Sequence, residues 1–171
     1  MTAVAQWPPR TRDTRASLEA YERVLGWPLI VDDTLVSARC ASAALELSLD
    51  AVVSTTCSAF DAVTVPYAVG ADLLVLLGRG ALDQVPALAY GREQVVVLVA
   101  AGTGSGLKSM AGVLVESGPG GRLILPPSPR RRWDTPPWSP RAEEPCPLPT
   151  GGAIETPLRI ALRSFGAPPP P

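Results

Sequence analysis

Histidine is absent from this chain of 171 residues, and cysteine is rare. Without histidine, the sequence cannot form the Ser-His or Cys-His pair on which many hydrolases depend, and it lacks a common zinc ligand. The three cysteines, Cys40, Cys57 and Cys146, have no CxxC spacing and do not suggest a metal site. We therefore expect free thiols, no zinc site and no catalysis of this hydrolase type.

Long hydrophobic runs are also missing. The two longest, residues 73–77 and 95–101, are far shorter than the roughly 20 residues that a membrane-spanning helix needs. The N-terminal residues 1–15 contain no apolar segment typical of a secretion signal. These absences predict a cytoplasmic protein that does not enter a membrane.

A basic excess is missing as well. The chain has 15 basic and 16 acidic residues, which give a formal net charge of -1 and a pI near 5.5. A protein that binds nucleic acid or an anionic membrane with its whole surface usually carries a clear positive charge. Any such contact of this protein is therefore expected to be local.

Hydrophobic residues make up 46% of the chain, enough for one sizeable core. Helical spacing of apolar residues predicts a helix over residues 15–25, and Gly26 suits its C-terminal cap. The apolar run at 29–31, a turn of Asp32, Asp33 and Thr34, and a return strand at 35–39 follow. This order is typical of a helix packed on an antiparallel hairpin.

The middle of the chain predicts further elements by the same criteria. Alternation of leucine with polar residues favours a strand at 44–49 over a helix. The remaining elements are a short strand at 63–65, a helix at 68–77 ended by Gly78, a hairpin of 87–90 with 94–100, a short helix at 107–110 and a strand at 113–116.

The last third of the chain is rich in proline. Residues 118–121 predict a glycine turn that leads into a strand at 122–125, and Pro126-Pro127 prevents further strand pairing. We expect a loop from there to residue 149. Thr156 then suits the cap of a final helix with Pro157 as its first residue.

These elements predict an α+β fold, with a mainly antiparallel sheet and helices on one face, followed by a proline-rich arm. The expected organisation is an N-terminal arm at 1–14, an α+β domain at 15–128 and the proline-rich arm at 129–171. The arm contains the short C-terminal helix at 157–165.

The candidate functional residues lie just after the last predicted strand. Arg130, Arg131 and Arg132 precede Trp133, and Trp138 follows within a few residues. Guanidinium groups bind phosphates and indole rings stack on bases, so this combination favours nucleic-acid binding. We expect residues 126–140 to contact a nucleic acid or a protein partner.

A structural role is the alternative for the same loop. Its tryptophans can cover the open end of the sheet, while the arginines are solvated or paired with nearby acidic residues such as Asp134, Glu143 and Glu144. The sequence leaves both interpretations open.

Two further patterns point to phosphate or metal chemistry but are incomplete. GTGSGLKS at residues 102–109 resembles a phosphate-binding loop, yet Leu107 occupies the position of the second glycine. Acidic residues such as Glu46, Asp50 and Asp61 have no spacing typical of a two-metal site. We therefore predict no catalytic residue, metal or cofactor.

Several short motifs resemble the N-terminal domain of bacterial bifunctional DNA primase/polymerases (prim-pol), in a short, stand-alone and degenerate form. In that family a helix ends in Gly-Trp-Pro before the first strand, as at residues 26–28. A late strand there runs into Pro-Pro-Ser and an aromatic residue, as at 125–128 and Trp133 here. The resemblance spans about residues 15–140 and implies an α+β domain.

The resemblance also implies what this chain has lost. Active relatives use an acidic pair spaced D-x-D or D-x-E together with a later histidine, and neither is found here. We expect a non-catalytic prim-pol-like protein with a DNA-associated or regulatory role. A protein-interaction module that uses the Arg/Trp/Pro-rich loop is one alternative, and a residual nucleotidyltransferase is another.

The missing residues predict that the protein has no magnesium- or manganese-dependent primase, polymerase or NTPase activity. The measurement is incorporation of labelled nucleotides into a primed template, with phosphate release measured in parallel. Incorporation that is abolished by Glu46→Ala or Asp50→Ala would contradict this prediction.

Overall fold

The computed structural model describes residues 14–80, 82, 84–138 and 145–165. Its helices and strands, in chain order, are α1 Thr14–Arg23, β1 Leu29–Val31, β2 Thr34–Val36, α2 Ala38–Leu47, β3 Val53–Pro66, α3 Tyr67–Arg79, β4 Ala87–Tyr90, β5 Gln94–Ala100, a 3-10 helix Ser105–Ser109, β6 Leu114–Ile124, β7 Arg131–Thr135 and α4 Gly151–Ser164. The predicted α+β fold with an antiparallel sheet is confirmed.

The seven strands form one sheet in the order β2-β1-β3-β5-β4-β7, and β6 pairs with β3 outside this path. Strand β3 organises the sheet because its 14 residues are long enough to pair with three neighbours. It pairs with β1 near its start, with β5 along its second half and with β6 along both halves. The sequence prediction was limited to residues 63–65 and missed most of this strand.

Helices cover both faces of the sheet, whereas the sequence predicted helices on one face. Val96 and Leu98 of β5 belong to the core cluster that contains residues of α1 and α2. Val95 and Val97 belong to a second cluster that contains residues of α3 and α4. Successive side chains of a strand point to opposite faces, so β5 is buried between two helical layers. Its continuous valine run is typical of such a strand.

The predicted strand at 44–49 is wrong, because residues 38–47 form helix α2. Ser37 caps the helix, and its hydroxyl accepts a hydrogen bond from the Cys40 amide at 3.3 Å. The alanine-rich sequence favours a helix, and the side chains of Leu47 and Leu49 are 88% and 91% exposed. The leucine alternation therefore does not mark the buried face of a strand.

The predicted glycine turn at 118–121 is also wrong, because β6 passes through these residues as one irregular strand. Its register against β3 shifts on both sides of Cys57. Gly118 has a φ of 69°, and a Cβ on Gly121 would lie 2.8 Å from the Ser117 nitrogen. These glycines permit a bulge and a close backbone approach instead of a hairpin turn.

The loop predicted after Pro126-Pro127 contains strand β7 at its centre. Ser128 fixes the turn that precedes this strand, because its buried hydroxyl accepts a hydrogen bond from the Val53 amide at 2.9 Å and donates one to the Val53 carbonyl at 3.1 Å. Arg130 follows with a φ of 61°, and its carbonyl accepts a hydrogen bond from Gly91. The chain then pairs with β4 as an edge strand. Prolines end β6 but do not prevent pairing a few residues later.

The last helix starts earlier than the sequence predicted. Thr150 caps α4 by accepting a hydrogen bond from the Ala153 amide at 3.2 Å, so Pro157 lies inside the helix and not at its first position. Ile154 and Leu158 are fully buried in the cluster shared with α3. Residues of the segment predicted as an arm thus contribute a strand and a helix to the same packed body.

Smaller differences concern element ends. Helix α1 ends two residues before Leu25, β2 stops at Val36, and α3 continues through Gly78 to Arg79. The hairpin of β4 and β5 has the predicted bounds. In the described part of the chain, none of the helices has the length and apolar character required to cross a bilayer.

Trp27 links α1 to the sheet. Its side chain is 5% exposed, stacks on Tyr21 with ring centroids 5.7 Å apart and contacts Phe60 at 4.7 Å between centroids. Gly26, with a φ of 66°, lets the chain turn so that the Trp27 amide donates to the Tyr21 carbonyl at 2.8 Å. The Gly-Trp-Pro motif therefore has a structural function in this protein.

We expect Trp27→Ala to lower the free energy of unfolding by about 3–5 kcal/mol, since it removes a large buried ring and leaves a cavity. Chemical denaturation of both proteins measures the difference. Leu47→Ala is a control, because exposed substitutions usually change stability by at most about 0.5 kcal/mol. Equal midpoints for the Trp27 variant and the native protein would contradict this role.

Candidate functional site

A cavity of about 240 Å³ lies between α1 and the end of the sheet that carries β7. It brings together four of the five site residues predicted from the sequence. Its lining consists of Thr14, Ser17, Tyr21, Pro126, Pro127, Arg131, Arg132, Trp133 and Trp138. Arg130, the fifth predicted residue, does not line it.

Aromatic side chains form the inner wall of this cavity. The Tyr21 hydroxyl donates to the Pro126 carbonyl at 3.0 Å and accepts from Trp133 Nε1 at 2.5 Å. The rings of Trp133 and Trp138 meet edge to face with centroids 6.1 Å apart. Burial raises the pKa of Tyr21 well above its usual value, so the hydroxyl remains a donor throughout the physiological pH range.

The two tryptophans differ in exposure, which limits what each can bind. Trp138 is only 4% exposed and belongs to the core cluster, whereas Trp133 is half-buried and packs against that cluster. A base that enters the cavity therefore finds more open ring surface on Trp133 than on Trp138.

The three consecutive arginines have three different environments. The Arg130 guanidinium forms an ion pair with Glu93 at 2.6 Å, and both side chains are about 70% exposed, at 67% and 71%. The Arg131 guanidinium lies 3.7 Å from the centre of the Tyr90 ring. Arg132 is exposed and has no ion-pair partner among the described residues. Only Arg131 and Arg132 place their charge at the cavity.

Arg131 is held in position before any ligand binds. It stacks on Tyr90, whose hydroxyl bonds the Ile124 carbonyl at 3.4 Å. Burial raises the pKa of Tyr90, and the nearby positive charge of Arg131 partly offsets this increase. In the described chain, Arg131 Nε is buried and has no hydrogen-bond partner. A buried N–H without a partner is unfavourable, so a ligand acceptor that reached it would gain binding energy.

The glycine-rich segment that resembled a phosphate-binding loop has a structural explanation. Asp61 is buried, and its carboxylate accepts a hydrogen bond from the Gly104 amide at 2.7 Å. The Thr103 hydroxyl accepts from the Gly151 amide at 2.8 Å and donates to the Ala100 carbonyl at 2.6 Å. These contacts attach the loop to β3 and to the start of α4, so the amides of Gly104 and Gly151 are already engaged.

Leu107 also has a structural role, and the acidic residues do not form a metal site in the part of the chain that the structure describes. Leu107 is 1% exposed and belongs to the cluster under α3 and α4, which accounts for a leucine where a phosphate-binding loop has glycine. Within the ranges that the structure describes, no three histidine, cysteine or acidic residues are grouped so as to hold a metal ion.

Sequence reasoning missed the part of the cavity that α1 provides. Thr14, Ser17 and Tyr21 recur at spacings of three and four residues and therefore share one face of the helix. That spacing was visible, but the contact between this face and the Pro-Pro-Ser turn joins residues 105 positions apart in sequence. No local pattern indicates such a contact.

Comparison with known proteins gives no match, whether against protein-family models, curated proteins or solved structures. The resemblance to the prim-pol domain therefore stays a prediction, and the case for function depends on the cavity itself.

Differences in thiol burial give a prediction about reactivity. Burial, followed by the nearby negative charges of Glu116 and Asp61, raises the pKa of Cys57 to about 12, and burial also raises the pKa of Cys146. Cys40 is exposed. Because the thiolate is the reactive form, we expect a thiol reagent at pH 8 to modify Cys40 quickly and the other two only after unfolding.

A colorimetric thiol titration before and after addition of denaturant measures this difference. Cys40→Ser is the control and should remove the fast phase. Two or more equally fast thiols in the folded protein would contradict the burial of Cys57 and Cys146.

Proposed function

We propose that this protein binds single-stranded nucleic acid at the cavity of Arg131, Arg132 and Trp133, without catalysing a reaction on it. One observation supports this most directly: two guanidinium groups and an accessible indole line the same small cavity. A strand presents phosphate and base side by side, which matches this pairing of groups.

The size of the cavity favours a single strand over a duplex or a large metabolite. Its volume is about 240 Å³, below the range of about 300 to 1,000 Å³ that is usual for ligand pockets. One base or one phosphate group is of a suitable size. In a duplex the bases are stacked in the interior of the double helix, so they do not reach such a cavity.

The arginines differ in what each contributes to binding. Arg131 is already oriented by Tyr90, so little side-chain freedom is lost when its planar fork meets a phosphate. Arg132 adds a solvent-exposed charge that attracts a strand from a distance. The overall charge of -1 confines this attraction to the neighbourhood of the cavity.

The resemblance to the prim-pol domain, taken as a prediction, adds that the nucleic acid is DNA. It also supports a role without catalysis, because this chain lacks the histidine and the acidic pair of active relatives. The activity is thus binding that protects, positions or recruits a strand.

We expect a fluorescent oligothymidylate of about 12 nucleotides to bind with an affinity that falls as salt rises. The double variant Arg131→Ala/Arg132→Ala should reduce the slope of log affinity against log salt by about 1.4, since each lost contact with a single strand removes about 0.7. Arg79→Ala/Arg163→Ala is the charge-matched control, because both residues are exposed on α3 and α4.

Trp133→Phe separates stacking from charge. This variant keeps an aromatic ring and the arginines but loses the hydrogen bond to Tyr21, so the salt slope should not change. Trp133→Ala should lower the affinity by about 1–3 kcal/mol, again with an unchanged slope. Melting curves show which variants are folded.

If the intact protein binds no single strand at low salt, nucleic-acid binding is wrong and a protein partner at this surface becomes the better interpretation.

A further inference from the structure

We propose that the bound strand continues from this cavity across the first turn of α1 to a second cavity between α1 and α2. The site is then a track for several nucleotides and not a pocket for one. This inference rests on the proposed function and adds residues that the sequence did not indicate.

The second cavity has a volume of about 190 Å³ and is lined by Arg15, Arg39, Ser42, Ala43 and Glu46. Thr14 lines the first cavity and Arg15 lines the second, and these residues are consecutive on α1. Successive residues of a helix point in directions about 100° apart, so the two cavities lie on different sides of the first turn of α1, and a strand must pass round a helix about 10–12 Å across. A flexible strand can span this distance within a few nucleotides.

The second cavity offers an anion two arginines that are open to solvent. Arg39 is exposed and forms no ion pair within the described ranges. Arg15 pairs with Glu19 at 3.0 Å, and their side chains are 68% and 20% exposed, so water screens the arginine more than its partner. A phosphate can therefore compete for Arg15.

Glu46, the acidic residue in this lining, is oriented by a local contact. Its carboxylate accepts a hydrogen bond from the Ser42 hydroxyl one helical turn away, at 3.4 Å. The lining thus contributes two positive charges and one negative charge, and Glu19, which pairs with Arg15, adds a second negative charge beside it. Together with Arg131 and Arg132, four arginines line two neighbouring cavities in a chain whose net charge is -1.

A nucleic-acid strand fits this arrangement better than an acidic peptide does. The first cavity has an aromatic wall suited to a base, and the second is polar and shallow, suited to backbone phosphates. Nucleic acid presents one phosphate per nucleotide at regular intervals, as a track of separated arginines requires.

The experiment compares oligothymidylates of about 2 and about 12 nucleotides, bound to the full chain at several salt concentrations, because a dinucleotide has a single linking phosphate and cannot occupy both cavities. For Arg15→Ala/Arg39→Ala, we expect the longer strand to bind roughly tenfold more weakly, with a salt slope lower by about 1.4. The shorter strand should bind this variant as well as the native protein, because it occupies only the first cavity. Arg131→Ala/Arg132→Ala should weaken both strands, and Arg79→Ala/Arg163→Ala neither.

Three results would overturn the track, and they differ from one another. If Arg15→Ala/Arg39→Ala leaves the longer strand unaffected while Arg131→Ala/Arg132→Ala weakens it, the first cavity binds alone and the proposed function stands. If the native protein binds neither strand, both proposals fail. If a polyglutamate peptide of similar charge competes as well as the longer strand, with the same dependence on all four arginines, the partner is an acidic protein segment.

Discussion

The buried hydroxyl of Tyr21 is the interaction on which the arrangement of the candidate site depends. A phenol that is fully removed from water must satisfy its hydroxyl within the protein, because an unpaired buried polar group costs about 1–3 kcal/mol. Tyr21 bonds both the Pro126 carbonyl and Trp133 Nε1. One side chain of α1 thereby fixes the turn after β6 and the edge strand β7. The cavity lies where these three segments meet, so its shape follows from the requirement to satisfy one hydroxyl.

Elements specified by neighbouring residues could be predicted from the sequence. The hairpin of β4 and β5 follows from a valine run and a Gly-Arg turn, and α1 follows from the apolar spacing that places Leu18 and Tyr21 on one face. Elements that depend on distant partners could not be predicted. Strand β7 pairs with β4, which precedes it by about 40 residues, and nothing within the five residues of β7 indicates that the edge of β4 is open for pairing. The alternation at Leu45, Leu47 and Leu49 misled because a cap at Ser37 and alanine-rich packing determined the structure instead.

The candidate site was predictable in its residue types but not in its geometry. The sequence placed three arginines beside two tryptophans, yet residues elsewhere in the chain decide what each of them does. Glu93 pairs with Arg130, and Tyr90 stacks under Arg131, although both partners belong to the preceding hairpin. Trp138 is buried in the core. A run of like residues therefore becomes one paired, one oriented and one solvated arginine, a division that only the tertiary structure creates.

The aromatic residues and the arginines of the candidate site differ in how much they contribute to the stability of the fold. The aromatic residues at the cavity also carry the fold, since Tyr21 contacts Trp27, Trp133 and Trp138. Substituting any of them perturbs the core together with the candidate site. Arg132, Arg15 and Arg39 are exposed, and their substitution leaves these ring contacts intact. Exposed charges add little to folding stability but attract a polyanion at a distance, so under the proposed function these three arginines contribute to binding independently of the fold.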